Sequence, residues 1–177
     1  MALKSSITAT RGGLYELRLE GNTHCPHWVV QLFHALSLLQ VSIVSGNATQ
    51  VNLGQWESSF MLDFAKSTAD PLGLDYAAFS EQNAVVNRSI KPKLNRFKLE
   101  RRPDQHLDLR LEGPDQIGFL ASMLARISSL ALFPSFLEIR TVAGQIKDYF
   151  ILTGIGDKPP TETAHQSLNT VLRSFIV

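Results

Sequence analysis

Leu17-Arg18-Leu19-Glu20-Gly21 recurs unchanged as Leu109-Arg110-Leu111-Glu112-Gly113, at an offset of 92 residues. A repeat at such a spacing marks a duplicated structural unit, and the likeness extends well beyond the five identical residues. After the first copy, Cys25, Trp28, Leu32, Ala35 and Leu39 recur at intervals of three and four. The same offset lands on Ile117, Leu120, Leu124, Ile127 and Ala131. Each set is the apolar face of one amphipathic helix. Ahead of each helix, alternation puts Tyr15, Leu17 and Leu19, or Leu107, Leu109 and Leu111, on one side, with Glu16 and Arg18, or Asp108 and Arg110, on the other. That period of two belongs to a half-buried strand.

Each of these strands has a hairpin partner upstream: residues 5–10 across Arg11-Gly12-Gly13, and residues 97–101 across Arg102-Pro103-Asp104-Gln105. Downstream of the second helix, β-rich runs at 135–142 and 145–153 flank the turn signal Ala143-Gly144 and predict an antiparallel pair. Their counterparts in the first copy are 41–45 and 55–64. Aligning Phe60-Met61-Leu62 with Phe150-Ile151-Leu152 requires two extra residues in the first copy, expected in a loop. A last helix begins near Pro159-Pro160-Thr161 and carries Ala164, Leu168, Val171, Leu172 and Phe175 on one stripe. The first copy offers a shorter helix over 72–79 after Asp70-Pro71. Each unit therefore runs strand, helix, strand, strand, helix, with a further closing strand. Two helices covering one face of an antiparallel sheet make an α+β, ferredoxin-like architecture.

With 177 residues, 44% hydrophobic and 19% charged, the chain can bury a real core as one large or two small domains. Disordered and collagen-like designs are excluded. Residues 25–44 are apolar and long enough to span a bilayer, but His27, Gln31, His34, Ser37 and Gln40 recur along them as a polar stripe, which argues against a membrane span. Met1-Ala2-Leu3-Lys4 lacks an apolar signal core, so a cytoplasmic location is expected. A lone Cys25 rules out an internal disulfide, and the Asn-x-Ser/Thr matches at Asn47 and Asn87 are then expected to be accidental. The net charge of +1 hides an uneven distribution. Residues 88–102 hold seven of the 17 Lys and Arg against one acid, Glu100. Such a segment is read first as a solvated linker or an edge strand defended by charge, and second as an anionic-partner site.

Leu111-Glu112-Gly113-Pro114-Asp115-Gln116-Ile117-Gly118-Phe119-Leu120-Ala121 resembles the first strand, loop and helix start of ACT domains. The run from Thr141 through Ala143-Gly144 to Leu152 is similar to the second hairpin of the ACT modules of bacterial uridylyltransferases and plant ACT-repeat proteins. The first copy matches mainly through its likeness to the second, since its loop Asn22-Thr23-His24-Cys25-Pro26-His27 has Pro26 where the second has Gly118, and proline removes an amide donor. The resemblance implies two tandem ACT-type units of βαββαβ order: a degenerate ACT-like domain over 1–87, a basic linker or hairpin strand over 88–105, and an ACT domain over 106–177.

The resemblance further implies a non-enzymatic regulatory protein without a cofactor, binding an amino acid or similar small metabolite. It implies signalling by changed association as a homo-oligomer or with a regulated protein partner. The implied ligand-binding residues are Asp115, Gln116, Ile117, Gly118 and Phe119, with Asn22, Thr23 and His24 as weaker candidates. The residues themselves support two readings. In one, Asp115 caps the helix, Gly118 permits a tight turn, and the exposed amides receive an effector carboxylate while Asp115 or Gln116 meets its amino group. In the other, Asp115 only caps and Gly118 only permits packing.

Other chemistries find less support. His24, Cys25 and His27 lack the second ligand pair of a structural zinc site, and Cys25 lies on the apolar stripe as a small buried group before it is a nucleophile. Asp63, Asp70, Asp75, Asp148 and Asp157 are scattered, with no facing pair for acid-base work. No phosphate-binding glycine loop is present. The alternative function is an RNA-binding or purely structural pairing module, using the sheet, Tyr149 or Phe150, and the basic 88–102 segment. Only one of those adjacent aromatics can point away from the core, and the strand lacks the basic, glycine-rich text of RNA-binding sheets, so nucleic acid is the lesser expectation.

Overall fold

Leu17, Leu19, Leu107, Leu109 and Leu111 are fully buried, and the residues alternating with them face the other side of one continuous sheet. The computed structural model describes residues 2–86 and 90–177. Its first half contains β1 (Lys4–Ala9), β2 (Leu14–Asn22), α1 (Trp28–Leu38), β3 (Ser42–Asn52), β4 (Gln55–Asp63) and a short α2 (Tyr76–Ser80). The second half repeats the series with β5 (Arg96–Arg101), β6 (Leu107–Pro114), α3 (Phe119–Ser128), β7 (Phe133–Val142), β8 (Gln145–Thr153) and α4 (Glu162–Arg173). Among the described residues, eight strands form one antiparallel sheet in the order β1-β2-β4-β3-β7-β8-β6-β5. The halves meet where β3 pairs with β7, Ser45 opposite Arg140 through Thr49 opposite Phe136. The architecture is α+β, two ferredoxin-like units side by side.

The closing strand of each unit comes first rather than last. The chain runs strand, strand, helix, strand, strand, helix, with β1 against β2 and β5 against β6 on the outer edges. The expected βαββαβ order is thus circularly shifted while the spatial arrangement of strands is kept. A tight hairpin closes a shorter loop than a crossover from the far end of the unit, so it fills the edge at lower entropic cost. After α4, only Ile176 makes a bridge, parallel to Leu94 ahead of β5.

Several local expectations are sharpened. The helix over 72–79 is two separate turns, Pro71–Gly73 and α2, because Asp70 and Asp75 each accept a hydrogen bond from a backbone amide two or three residues on. The two extra residues of the first copy are not both in a loop: β3 has 11 residues where β7 has 10, with register shifts near each of its ends. The polar stripe along α1 is interior at its centre, while Gln40 at its end is exposed. Gln31 and His34 are each only 8% exposed, because α1 packs against both α2 and α3. The Gln31 amide donates to the Ala84 carbonyl and accepts from its N–H, which satisfies it in the interior. Among the described residues no helix is long and apolar enough to cross a membrane.

Six of the fifteen residues of the basic segment form edge strand β5. Arg96 pairs with Glu112 of β6, Arg101 with Glu162 of α4, and Arg102 with Asp104 and Asp108. Asn87, Arg88 and the domain boundary drawn between them lie outside the described residues.

The glycine that ends each repeated pentapeptide has one structural reason in both copies. A Cβ on Gly21 would sit 2.5 Å from the Ala2 carbonyl oxygen, and one on Gly113 would sit 2.5 Å from that of Lys93. In each unit the segment leading into the edge strand crosses directly over this position, and backbone cannot yield as a side-chain tip can. Gly113→Ala is therefore expected to lower stability by about 1–3 kcal/mol, measured by urea denaturation.

Candidate functional site

Along β8, Ile146, Asp148, Phe150 and Leu152 share the inner face, and all four are buried. Asp148 thus carries a carboxyl group into the core at 2% exposure. Its Oδ1 accepts a hydrogen bond of 3.2 Å from the backbone N–H of Arg140. This bond falls where the ladder is interrupted, between the pairs Glu138 with Tyr149 and Thr141 with Ile146. Oδ2 has no hydrogen-bond partner among the described residues. Burial pushes the Asp148 carboxyl up to about 7; the Arg140 N–H opposes the rise and the charge of Asp115 adds to it. The sequence reading set Asp148 aside among scattered carboxylates. The missed signal was its phase, a charged residue in step with an isoleucine, a phenylalanine and a leucine.

Asp148 lines a small, partly open cavity of about 30 Å³ at the junction of the halves. One wall is Phe33 and Ser37 of α1 with Val41, Ser42 and Ile43 leading into β3; the other comes from the β6–α3 loop, α3, β7 and β8. All five residues nominated from the second copy, Asp115, Gln116, Ile117, Gly118 and Phe119, line it. The Gln116 Oε1 is buried and lacks a partner among the described residues. By the measure in which one water needs about 10–15 Å³, this space holds about two waters.

The start of α3 differs from expectation. Gly118, not Asp115, is the N-cap; it sits in the left-handed region at φ 85 and contributes no side-chain cap. Asp115 is exposed, and its backbone N–H donates to the Gly144 carbonyl. The loop makes its tight turn at the position that tolerates positive φ, which sets the cap three residues later. A surface cleft of about 320 Å³ adjoins the cavity and shares Ser37, Ile117, Gly118 and Ala121 with it, with Ile90 in its wall.

The weaker candidates are elsewhere. Asn22 ends β2, opposite Gln55; Thr23 is buried, its Oγ1 accepting from the Cys25 N–H; His24 is exposed. None of the three lines the cavity. The corresponding positions of the first copy carry aromatic rings and a satisfied hydroxyl. The His27 ring lies 5.1 Å from that of Phe133, Trp28 lies 5.3 Å from Trp56, and Ser58 donates to the Leu19 carbonyl. Ser58 lies opposite Leu19 as Asp148 lies opposite Leu111, so the two are structural counterparts. Among the described residues no group of three or more His, Cys, Asp or Glu side chains is placed to hold a metal ion.

The opposite face of the sheet is uncovered and polar. Phe150 points into the core and Tyr149 outward, its hydroxyl donating to Asp108 over 2.8 Å and its ring lying 5.3 Å from the Arg110 guanidinium carbon.

The fold has a counterpart among solved structures. The chain is similar in structure to the aspartate kinase from Synechocystis, with a TM-score of 0.53 and 14% sequence identity over 92% of this chain. It spans 27% of that enzyme's length. At this identity the likeness is one of fold. No family model matches the chain, and no curated protein matches it in sequence.

Because the folded-state value of about 7 lies above the ordinary 3.8, the native state holds a proton that the unfolded chain has released. Asp148 therefore costs stability progressively as pH rises from about 4 to about 7, and the cost is constant above that. Asp148→Asn is expected to melt higher than the wild type at pH 8, with the difference shrinking toward pH 5. A difference independent of pH in thermal melts would refute the assignment.

Proposed function

We propose that the chain is a non-enzymatic sensor that binds an amino acid or similar small metabolite between its two halves and signals by a change of association. The observation that supports this most is the junction cavity, where a buried unpartnered carboxylate oxygen and a glycine-capped helix start face a wall contributed by the other repeat. A helix N-terminus favours a carboxylate, and a buried acceptor favours a donor. An α-amino acid carries both groups on adjacent atoms.

The cavity admits about two waters, so an effector lodges a small group there and either extends into the adjoining cleft or parts the walls. Those walls belong to different halves. A ligand that binds only the parted form shifts the protein toward it, and the change of packing is transmitted along the shared sheet. The outer edges offer a route to association, because β1 and β5 each have a strand neighbour on one side only and can add a strand from another copy or a partner.

The test is the melting temperature of the purified chain against the twenty amino acids and a few nucleotides at millimolar concentration. A bound effector at about tenfold above its dissociation constant stabilises the fold by roughly 1.4 kcal/mol. A selective upward shift from one or two amino acids is expected, reduced in Gly118→Ala, whose Cβ would stand 2.6 Å from the Ile90 side chain in the wall of the cleft. A response to nucleic acid alone, falling steeply with salt, would overturn the sensor reading.

A further inference from the structure

We infer that Asp148 selects the effector: it accepts the effector's primary ammonium group inside the junction cavity while the remainder of the molecule occupies the adjoining cleft. The inference rests on the sensor reading and adds to it the chemical class of the ligand and the residue that recognises it.

The argument starts from what the interior lacks. Asp148 Oδ2 and Gln116 Oε1 are both buried acceptors without partners among the described residues, on the walls of one cavity. A buried carboxylate is ordinarily matched by a cation or by several donors. The cations nearest in sequence are not available. Arg140 turns its guanidinium to the open face, where it pairs with Glu138 at 2.6 Å, and Lys147 alternates with Asp148 to the outside of β8. Asp115, the other charged group on the cavity wall, is also an acid. Within the chain the carboxyl stays neutral by holding its proton; a positive charge that ionises it would come from a ligand.

Size narrows the class. A space of about 30 Å³, enough for about two waters, suits a primary ammonium better than a guanidinium or an aromatic cation. The neighbouring cleft of about 320 Å³ lies within the range of small-molecule sites, and its shared walls include Gly118 at the start of α3. An ammonium at Asp148 with a carboxylate toward the α3 N-terminus is the arrangement of a small α-amino acid. An α-hydroxy acid of the same skeleton would leave the Asp148 carboxylate without its charge partner.

The experiment takes the amino acid that gives the largest thermal shift and its α-hydroxy acid analogue, both titrated calorimetrically into the wild type and into Asp148→Asn. The expected result is that the hydroxy acid binds the wild type at least about thirtyfold more weakly than the amino acid. Asp148→Asn, of nearly unchanged shape, is expected to lose a similar factor for the amino acid while remaining folded by circular dichroism. Equal affinity of the two compounds for the wild type overturns the inference and leaves the sensor reading standing, and this comparison does not depend on the variant. Undiminished amino acid binding by Asp148→Asn does the same. Silence from all twenty amino acids overturns both.

Discussion

The antiparallel pairing of β3 with β7 is the contact on which the rest of the molecule depends. It joins two four-stranded sheets edge to edge, so strands that would otherwise be hydrogen-bonding edges become the centre of an eight-stranded sheet. An exposed inner edge would invite uncontrolled pairing; here each repeat serves as the other's cover. The same pairing places α1 beside α3 on one face and buries Ala48, Leu137 and Ile139 beneath them. It also sets the start of α3 over the end of α1, and the junction cavity follows from that placement.

Duplication creates two related positions at this junction, and they have diverged in opposite directions. In the first copy Ser58 is satisfied by a backbone carbonyl, and aromatic rings take up the surrounding space. In the second, the counterpart is Asp148, with an oxygen left unpaired. A hydroxyl is cheaply satisfied in a core, whereas a carboxylate is not. One position therefore contributes to stability and the other costs stability.

The charged residues outside the core act differently. The pairs Arg96 with Glu112 and Lys98 with Glu100 are largely exposed and contribute little to stability. Their place on and beside β5 makes that edge polar and strongly charged. A charged edge of this kind is defended against indiscriminate strand pairing.

The sequence by itself determined the duplication and the ferredoxin-like class. Both rest on short-range rules: an exact pentapeptide repeat, periods of two and of about 3.6, and turn chemistry such as that at Ala143-Gly144. The tertiary structure alone decided that each closing strand precedes its unit, that Gln31 and His34 are interior, and that Asn22, Thr23 and His24 stand away from the cavity. It also decided that Asp148, which sequence spacing left among scattered acids, faces the other repeat. These outcomes depend on contacts between residues far apart in the chain, such as Ser37 beside Gly118 and Ser45 opposite Arg140, and no local pattern encodes whether a buried carboxylate meets a partner there.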